Sequence, residues 1–448
     1  MKHLGPQIKG RLVKRAVAVA IAAGLTLAAA GCSQPSGTSS STGGGAKPTV
    51  NIWSWRSQDA DLWKQVGDKL GITIDFRAVV ATQYNAVLQT AMNGGAGPDV
   101  IYTRAGTGTQ TYAAAGLISP LDGLVDVSNY NKFSLAAAQF QGKTYGVPFA
   151  LQTMGLFYNK KILSDNGIDV PKTWDELIAA MTKLKAAGVQ PMEVMGTQQW
   201  LLTLSFFAIH ASWISNDFNQ QLVDKKAKLT DKPFVDALAA YAQLSQFFQK
   251  NWQAVGAAGN EQETDFGLGN CAFVLDGIFD TPTMLQANPN LDYGMILVPP
   301  PAGKTAQVAW YVDGNLALNS NIKDPAVAEA AKKIIQFTAT KEFGDMFSGI
   351  AGEISPIPGV TIPSSHPNSV AAYNWFQTVP ISPTTIIRGP LDLVPVDAGT
   401  LNATAAVNTN KGIYAAFQQY VVDLLSGAKT PDQVAAALQN DLAWYFNG

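Results

Sequence analysis

Three acidic residues of this chain have the chemistry needed for general acid and base work. Asp276, Asp313 and Glu353 each stand directly beside a glycine. Two carboxylates that face each other across a cleft can hydrolyse a glycosidic bond. A hydrolase of this kind is therefore one alternative that these residues leave open.

Other catalytic motifs fail on inspection of their spacing. No G-x-S-x-G nucleophile motif occurs in the sequence. The tripeptide GKT occurs at 142–144 and at 303–305, as at the end of a phosphate-binding loop. The glycine that this loop needs five residues before the GK pair is Ala137 in the first case and Val298 in the second. A nucleotide site of this type is therefore excluded at both places.

Metal and redox chemistry also lack the residues they need. The chain has two cysteines, Cys32 and Cys271, and beyond residue 31 it has two histidines, His210 and His366. These four residues form no cluster at the spacing of a metal site. Cys271 lies in an apolar run, which is typical of a buried packing residue. We expect neither a metal nor a cofactor.

The N-terminus has the layout of an export signal. Residues 1–31 carry five basic residues, an apolar run at 16–30 and small residues directly before Cys32. The run is shorter than the roughly 20 residues that span a bilayer. Cys32 resembles the lipidated cysteine of a bacterial lipobox, and the Ser- and Gly-rich residues 32–47 read as a flexible tether. A plain secretory signal with an incidental cysteine is the alternative.

Composition limits the kind of partner. Without residues 1–31 the chain keeps 417 residues, which predicts two lobes or domains. The signal holds five basic residues and no acids, so the remainder has a net charge of −7, which argues against nucleic acid. Charged residues are 14% of the chain and ten tryptophans are present, a combination that favours a neutral ligand.

Strands and helices alternate in the first part of the chain. Apolar runs at 50–54, 72–76 and 99–102 are typical of short strands, while 62–70 and 83–93 carry apolar residues at helical spacing. This alternation predicts a parallel α/β sheet covered by helices on both faces. In such a sheet the ligand lies beyond the carboxyl ends of the strands.

Later segments follow the same mixed pattern. Thr173 and Glu176 have capping-box spacing and predict a helix over 175–187. Residues 189–194 resemble a strand, and 411–427 have the periodicity of an amphipathic helix.

Several motifs occur in a recognisable order along the chain. They are GPDVI at 97–101, YAAAGLISPL at 112–121, GKTYGVP at 142–148, GLFYNK at 155–160, PKTWDEL at 171–177 and GNCAFVLDG at 269–277. Each motif alone is weak. Together, behind a lipobox-like cysteine, they resemble the extracellular solute-binding proteins of ABC transporters, in the family that binds sugars. The resemblance covers roughly residues 48–448.

The resemblance implies two α/β lobes that close around a ligand by a hinge motion. One lobe would comprise residues 48–150 and 280–340, and the other 151–279 and 341–448. The chain would cross between them near residues 150–152, 276–280 and 339–343.

Sugars have apolar C–H faces and rings of hydroxyls, so a binder needs aromatic plates and planar polar side chains. The resemblance, together with positions beside strand-like runs, predicts such residues around the cleft: Trp55, Arg56, Gln58, Arg104, Gln152, Trp200, Asp276, Phe279, Trp310, Asp313 and Tyr414. Glu353 is a weaker candidate.

Structural roles compete with these assignments. Trp55 could pack under a helix, and Trp200 and Tyr414 could belong to the core. Arg104 could be a surface charge, and Asp276 could cap the hinge.

The expected function is therefore that of a monomeric lipoprotein on the outer face of the bacterial cytoplasmic membrane. It would capture a neutral mono-, di- or oligosaccharide and deliver it to an ABC permease, without catalysis and without nucleic acid. A glycosidase-like surface enzyme and a sugar-binding adhesion lipoprotein are the alternatives.

Overall fold

The computed structural model describes residues 47–130, 132–382, 389–396 and 410–448. The predicted export signal and nearly all of the predicted tether, with Cys32, lie outside the described residues. Within the described part of the chain, no helix has both the length and the apolar character needed to cross a bilayer.

Short strands and helices alternate along the described chain. The strands are β1 Thr49–Ser54, β2 Thr73–Ala78, β3 Val100–Arg104, β4 Gln139–Phe140, β5 Lys143–Thr144, β6 Val147–Pro148, β7 Leu151–Asn159, β8 Phe273–Gly277, β9 Tyr293–Ile296, β10 Trp310–Val312 and β11 Gly314–Leu318. The helices are α1 Ala60–Leu70, α2 Ala81–Asn93, α3 Thr107–Ala114, α4 Lys132–Ala136, α5 Lys160–Asp165, α6 Trp174–Ala186, α7 Gln199–Trp213, α8 Asn216–Val223, α9 Lys232–Leu244, α10 Glu261–Leu268, α11 Thr281–Ala287, α12 Pro325–Thr338, α13 Lys341–Ile350, α14 Pro367–Thr378, α15 Ile413–Phe417, α16 Val421–Ser426, α17 Pro431–Asp441 and α18 Ala443–Phe446. Single 3₁₀ turns occur at Ser57–Asp59, Ser245–Phe247, Trp252–Ala254 and Ile278–Asp280.

The first sheet has the strand order β2-β1-β3-β11-β6. β1 pairs in parallel with β2 and β3, whereas β11 runs antiparallel to β3 and β6. The predicted α/β fold is confirmed, but the sheet is mixed rather than parallel throughout. The three predicted strands are present with ends that differ by one or two residues. The carboxyl ends of β1 and β3 meet at one edge of this sheet, where Arg56 and Arg104 lie.

The second sheet is built around β7, the nine-residue strand. Its strand order is β10-β7-β8, and β9 also pairs with β7. All of these pairs are antiparallel.

Each sheet has its own hydrophobic core. Around the first sheet, α1, α12 and α13 contribute Trp63, Ile335 and Phe347, all fully buried. Against the second sheet, α7 and α9 contribute Phe206 and Tyr241. Cys271 is free and fully buried, which confirms its prediction as a packing residue.

The chain crosses between the two sheets at three places within the described residues, and these places lie side by side. The amide of Leu151 donates to the carbonyl of Ile354 at 2.8 Å, and that of Asp313 donates to Ala150 at 3.0 Å. Phe149 donates to Gly314 at 3.2 Å. The crossing segments thus form a hydrogen-bonded ribbon.

The strand pairing differs from the predicted division at residues 280–312. β9 and β10 pair with β7, although that division put 280–340 with the first lobe. The chain consequently returns to the first sheet at Asp313 rather than near 276–280. Phe343 and Phe347 pack in the first core, so the last crossing lies near Glu353 rather than at 339–343. The reason is physical: α13 buries its apolar face against α1 and α12, next to it in the fold.

Two local predictions also differ from the structure, and one is confirmed. Residues 189–194 form no strand, and only Met192 makes an isolated bridge, to Phe273. Pro191 has no amide hydrogen, so it cannot donate to a ladder. The predicted helix at 411–427 is divided into α15 and α16 by a turn at 418–420. The capping box of Thr173 and Glu176 is present as predicted.

The buried α7 carries a histidine whose titration should affect stability. His210 is 3% exposed, and burial lowers its pKa to about 3. Its Nε2 has no hydrogen-bond partner among the described residues. In the unfolded chain a histidine has a pKa of about 6.5. Below that pH the unfolded state takes up a proton that the folded state does not, so the free energy of unfolding falls as the pH falls.

This difference in proton uptake predicts a measurable pH effect. Between pH 7.5 and pH 5, His210 should cost the folded state about 2 kcal/mol. In the variant His210→Leu the loss of stability over this range should be smaller by that amount, measured as urea unfolding at both pH values. Phe207→Leu, a core change without a titratable group, should keep the wild-type pH dependence. An unchanged pH dependence in His210→Leu would show that His210 is not buried in neutral form.

Candidate functional site

A group of polar side chains lies where the three crossing segments meet. Gln152 stands on the first segment, Asp313 on the second and Glu353 on the third. All three are buried, with 0%, 9% and 1% of their surfaces exposed. Each was predicted, although Glu353 only as a weaker candidate.

Arg56 joins these segments to the end of β1. Its Nη2 donates to Glu353 Oε1 at 2.6 Å and its Nη1 to Glu353 Oε2 at 3.1 Å. On its other side, Nε and Nη2 donate to the two carboxylate oxygens of Asp59 at 2.8 and 3.1 Å. Asp313 Oδ2 lies 3.5 Å from Nη1. The amide of Gln152 donates to Glu353 Oε2. We call these five residues the hinge cluster.

The hinge cluster holds one cation, Arg56, among three carboxylates. Burial alone would lower the pKa of Arg56, but the carboxylates of Asp59 and Glu353 raise it well above the ordinary value. Burial raises the pKa of Glu353, and the charge of Arg56 opposes that rise. Tyr102 donates to Asp59 Oδ2 at 2.8 Å, which ties the cluster to the first core.

Asp59 was not among the predicted residues. A signal for it was present, because Asp59 stands three residues after Arg56, within one 3₁₀ turn.

Trp55 lies at the edge of the hinge cluster. Its ring makes edge contacts with Tyr84 and Tyr102, at centroid distances of 5.3 and 5.7 Å. The guanidinium of Arg104 lies 3.6 Å from the centroid of the Trp55 ring. Arg104 Nη1 is also 3.4 Å from Asp313 Oδ1. Trp55 is therefore partly structural, with one region of its ring taken by a cation–π contact.

Trp200, in α7, and Phe279, in the 3₁₀ turn after β8, form a second group on elements that flank the second sheet. Both rings are half-buried and pack against the second core. Their centroids are 6.1 Å apart with an interplanar angle of 38°. Trp200 Nε1 donates to Gln198 Oε1 at 2.7 Å, which fixes its ring. These side chains form an aromatic surface that is neither fully buried nor fully exposed.

Acidic side chains lie next to the Phe279 turn. Asp276 is fully buried at the end of β8, where its carboxylate accepts from Gln262 Nε2 at 2.9 Å and from the amide of Gly277 at 2.7 Å. Burial raises the pKa of Asp280 to about 6, and the carboxylate of Glu353 adds to the rise. Asp280 follows Phe279 directly and ends the 3₁₀ turn Ile278–Asp280.

The remaining predicted residues lie apart from these contacts. Gln58 is exposed on the 3₁₀ turn after β1. Trp310 is 8% exposed and packs on Phe376, with centroids 4.8 Å apart. It belongs to a third, smaller cluster of buried hydrophobic residues. Tyr414 is half-buried against the second core, and its amide donates to Asp392 Oδ1 at 3.2 Å.

The arrangement does not favour hydrolysis by the three acidic residues considered from the sequence. Glu353 and Asp313 are paired with arginines, and Asp276 is buried with both oxygens already accepting hydrogen bonds. A general acid and base must instead reach the reacting bond from opposite sides. What the site does offer is a half-buried aromatic pair in one lobe and a hydrogen-bonding cluster at the ribbon that joins the two lobes.

Comparison with protein families finds one match over most of the described chain. The profile described as "Bacterial extracellular solute-binding protein" matches residues 55–344.

Characterised relatives are distant but numerous. The multiple sugar-binding protein of Streptococcus mutans is 25% identical over 328 residues, which cover 70% of this chain and 76% of that protein. The diacetylchitobiose binding protein DasA of Streptomyces coelicolor is 23% identical over 337 residues, covering 72% and 78%.

Solved structures share the fold. A chitin oligosaccharide binding protein superposes with a TM-score of 0.71 at 21% identity, covering 90% of this chain and 100% of its own. The protein RafE in complex with raffinose gives a TM-score of 0.66 at 19% identity, covering 90% and 99%. These likenesses support the two-lobed fold.

Proposed function

The chain belongs to the family of bacterial extracellular solute-binding proteins, and we propose that it captures a neutral sugar for import by an ABC transporter. The resemblance to this family in the sequence motifs is thereby confirmed. Sugar names recur among the relatives, including maltotriose and diacetylchitobiose.

The observation that carries the sugar assignment is the aromatic pair of Trp200 and Phe279. Two rings inclined at 38° and half-exposed present apolar faces of the kind that stack on the C–H face of a sugar ring. Fully buried rings could not contact a sugar. A single fully exposed ring would have no neighbouring side chain to hold it in place before the sugar binds.

Charge pairing in the hinge cluster supports a neutral solute. Arg56 is paired with Asp59 and Glu353, and Arg104 with Asp313 and the ring of Trp55. An anionic solute would have to compete with these carboxylates for the guanidinium groups. Sugar hydroxyls can instead add hydrogen bonds to the edge of an existing network. Arg388 is a further cation of the sequence, and it lies outside the described residues.

Hinge closure is the proposed mechanism. The crossing ribbon links the two sheets, and the sugar would join Trp55, Arg104 and Asp313 on one side to Trp200 and Phe279 on the other. Closing over the ligand excludes water from these contacts and gives the shape that a permease recognises. We propose that Gln152 and Asp276 hold the hinge and turn in place, and that Tyr414 borders the cleft.

The location and the oligomeric state of the protein are inferred from the same family membership. We propose that Cys32 is lipidated, that residues 32–47 tether the protein to the outer face of the cytoplasmic membrane, and that it acts as a monomer without catalytic activity. The partners would be the sugar and the permease subunits of the transporter.

The test is a thermal-shift screen of the purified protein. The panel should contain neutral sugars of increasing size, such as tagatose, diacetylchitobiose, maltotriose, raffinose and stachyose, with sn-glycerol 3-phosphate as the anionic arm. A ligand at a hundredfold excess over its dissociation constant should stabilise the fold by about 2.7 kcal/mol. A shift with the anionic solute alone, or formation of a cleavage product, would overturn the proposal.

Gly277 lies against the ring of Phe279, and its substitution tests the role of that ring in sugar binding. A Cβ placed on Gly277 would lie 1.9 Å from a ring carbon of Phe279, although the backbone at φ −87° and ψ 157° tolerates alanine. Gly277→Ala should therefore push the Phe279 ring away from Trp200 and weaken sugar binding at least tenfold, measured by calorimetry. Gly349→Ala, whose Cβ would meet only Pro363 at 3.9 Å, is the matched control. Wild-type affinity in Gly277→Ala would remove Phe279 from the binding surface.

A further inference from the structure

Three carboxylates meet beneath the Phe279 turn, outside the contacts assigned to the sugar. Glu263 in the first turn of α10, Asp276 at the end of β8 and Asp280 in the following 3₁₀ turn each offer an oxygen, and these oxygens all lie within 4.8 Å of one another. Glu263 and Asp276 are buried, and Asp280 is partly exposed. We call these residues the acidic trio.

The acidic trio has no cationic partner in the part of the chain that the structure describes. None of the salt bridges found among the described residues includes Glu263, Asp276 or Asp280. Buried carboxylates at this separation must be compensated by protons or by a bound cation, because an isolated buried charge is very costly.

A second observation points to a cation. Glu263 is 1% exposed, and its Oε2 is buried without a hydrogen-bond partner among the described residues. An orphaned carboxylate oxygen inside a folded protein needs an explanation, and an unplaced ion is one of the few available. Asp276, in contrast, is held by Gln262 and by the amide of Gly277, which orient its carboxylate as second contacts orient a metal ligand.

We propose that the acidic trio is a calcium site. Two oxygens that share one calcium ion at about 2.3–2.6 Å lie at most ~5.2 Å apart, and every pair of the trio's oxygens falls within that limit. The donors are oxygens alone, which suits a hard cation and not zinc or copper. Calcium accepts six to eight oxygens in irregular geometry, and water reaching Asp280 from the surface would complete its shell.

The ion would fix the turn that carries Phe279. Asp276 and Asp280 flank that turn, so a cation between them ties the end of β8 to the start of α11. This effect on the ligand rests on the proposed sugar-binding function: calcium would tighten sugar binding by holding Phe279 against Trp200. The metal site itself does not depend on that function.

Sequence spacing gave no sign of this site. Glu263 precedes Asp276 by thirteen residues, and the two belong to different elements. Only the packing of α10 against β8 and α11 brings the trio together.

The test is thermal unfolding of the purified chain without sugar, after treatment with EDTA and dialysis. Addition of millimolar calcium chloride should raise the unfolding temperature by several degrees, and magnesium chloride at equal ionic strength should raise it much less. Calorimetry should give one calcium ion per chain. The rise should be lost in Glu263→Gln and in Asp280→Asn, the second of which changes a partly exposed residue and so tests the site if the first variant folds poorly.

Glu193→Gln is the matched control. Glu193 is also a buried acid, at 8% exposure, but it lies outside the trio, so the calcium response should remain. Absence of a calcium response in the wild type, an equal response to magnesium, or an undiminished response in Asp280→Asn would each overturn the proposal. In those cases the trio holds protons. Because no sugar is present, these outcomes are separate from a failure of the sugar screen.

Discussion

Replacing Arg56 by methionine should destabilise the protein by about 3–5 kcal/mol, the range expected when one partner of a buried ion pair is removed. Asp59 and Glu353 are 0% and 1% exposed, and each accepts two hydrogen bonds from the Arg56 guanidinium. Methionine fills a similar space but leaves both carboxylates buried without their cation. The cost therefore comes from uncompensated charge rather than from a cavity.

A second effect should accompany the loss of stability, because Arg56 ties the end of β1 to the third crossing segment. Through Glu353, Arg56 holds the third crossing segment, and Gln152 on the first segment donates to the same carboxylate. Without the guanidinium, the crossing ribbon loses its side-chain link to the end of β1, while the Gln152–Glu353 hydrogen bond and the backbone hydrogen bonds remain. We expect the two lobes to unfold less cooperatively in Arg56→Met, seen as a broader urea transition.

The measurement is urea unfolding at pH 7, followed by tryptophan fluorescence. Lys64→Met is the control: Lys64 pairs with Asp68 at 2.7 Å, but both side chains are about three-quarters exposed at 74% and 70%. Its unfolding midpoint should barely change, because water screens exposed pairs. The double variant Arg56→Met with Glu353→Gln should recover part of the loss. If Arg56→Met unfolds at the wild-type urea concentration, the ion pairs are not buried as described.

Local features of the fold were readable from the sequence. The Thr173 capping box depends on residues three positions apart, and it is formed as predicted. The strands at 50–54 and 99–102 were predicted because their apolar runs must be buried whatever the rest of the chain does. These signals are contained within one element.

Pairing between distant segments was not readable in the same way. β10 and β11 are separated by Asp313 alone, yet they belong to different sheets. Their sequences have the same apolar character, so composition cannot say which neighbour each will take. The choice depends on the length of β7, whose first three residues pair with β10.

The candidate site shows the same limit. Arg56 was predicted as a ligand contact, but its partner Glu353 is 297 positions away, and only the fold reveals that the pair is buried. Trp310 was predicted for its residue type, and the structure packs it on Phe376 instead. Residue type indicates what a side chain can do, while burial and partners decide whether it is available.

Truncating either ring of the aromatic pair should lower sugar affinity by at least tenfold, about 1.4 kcal/mol. In Phe279→Ala and Trp200→Ala the stacking surface of one plate is lost, and an aromatic side chain supplies about 150–250 Å² of contact. Both rings are half-exposed, so the fold should survive. The variants should be compared by calorimetry with the sugar that gives the largest thermal shift in the wild type.

A matched control separates stacking from general loss of aromatic surface. Phe140, also half-buried, lies in the small β4–β5 hairpin against Tyr145 with centroids 6.4 Å apart, and Phe140→Ala should bind the sugar as the wild type does. Because Trp200 and Phe279 contact each other, their effects should not add: the double variant should lose less affinity than the sum of the two single losses. Full additivity would mean that the rings contact the sugar independently, and wild-type affinity in both single variants would place the sugar elsewhere in the cleft.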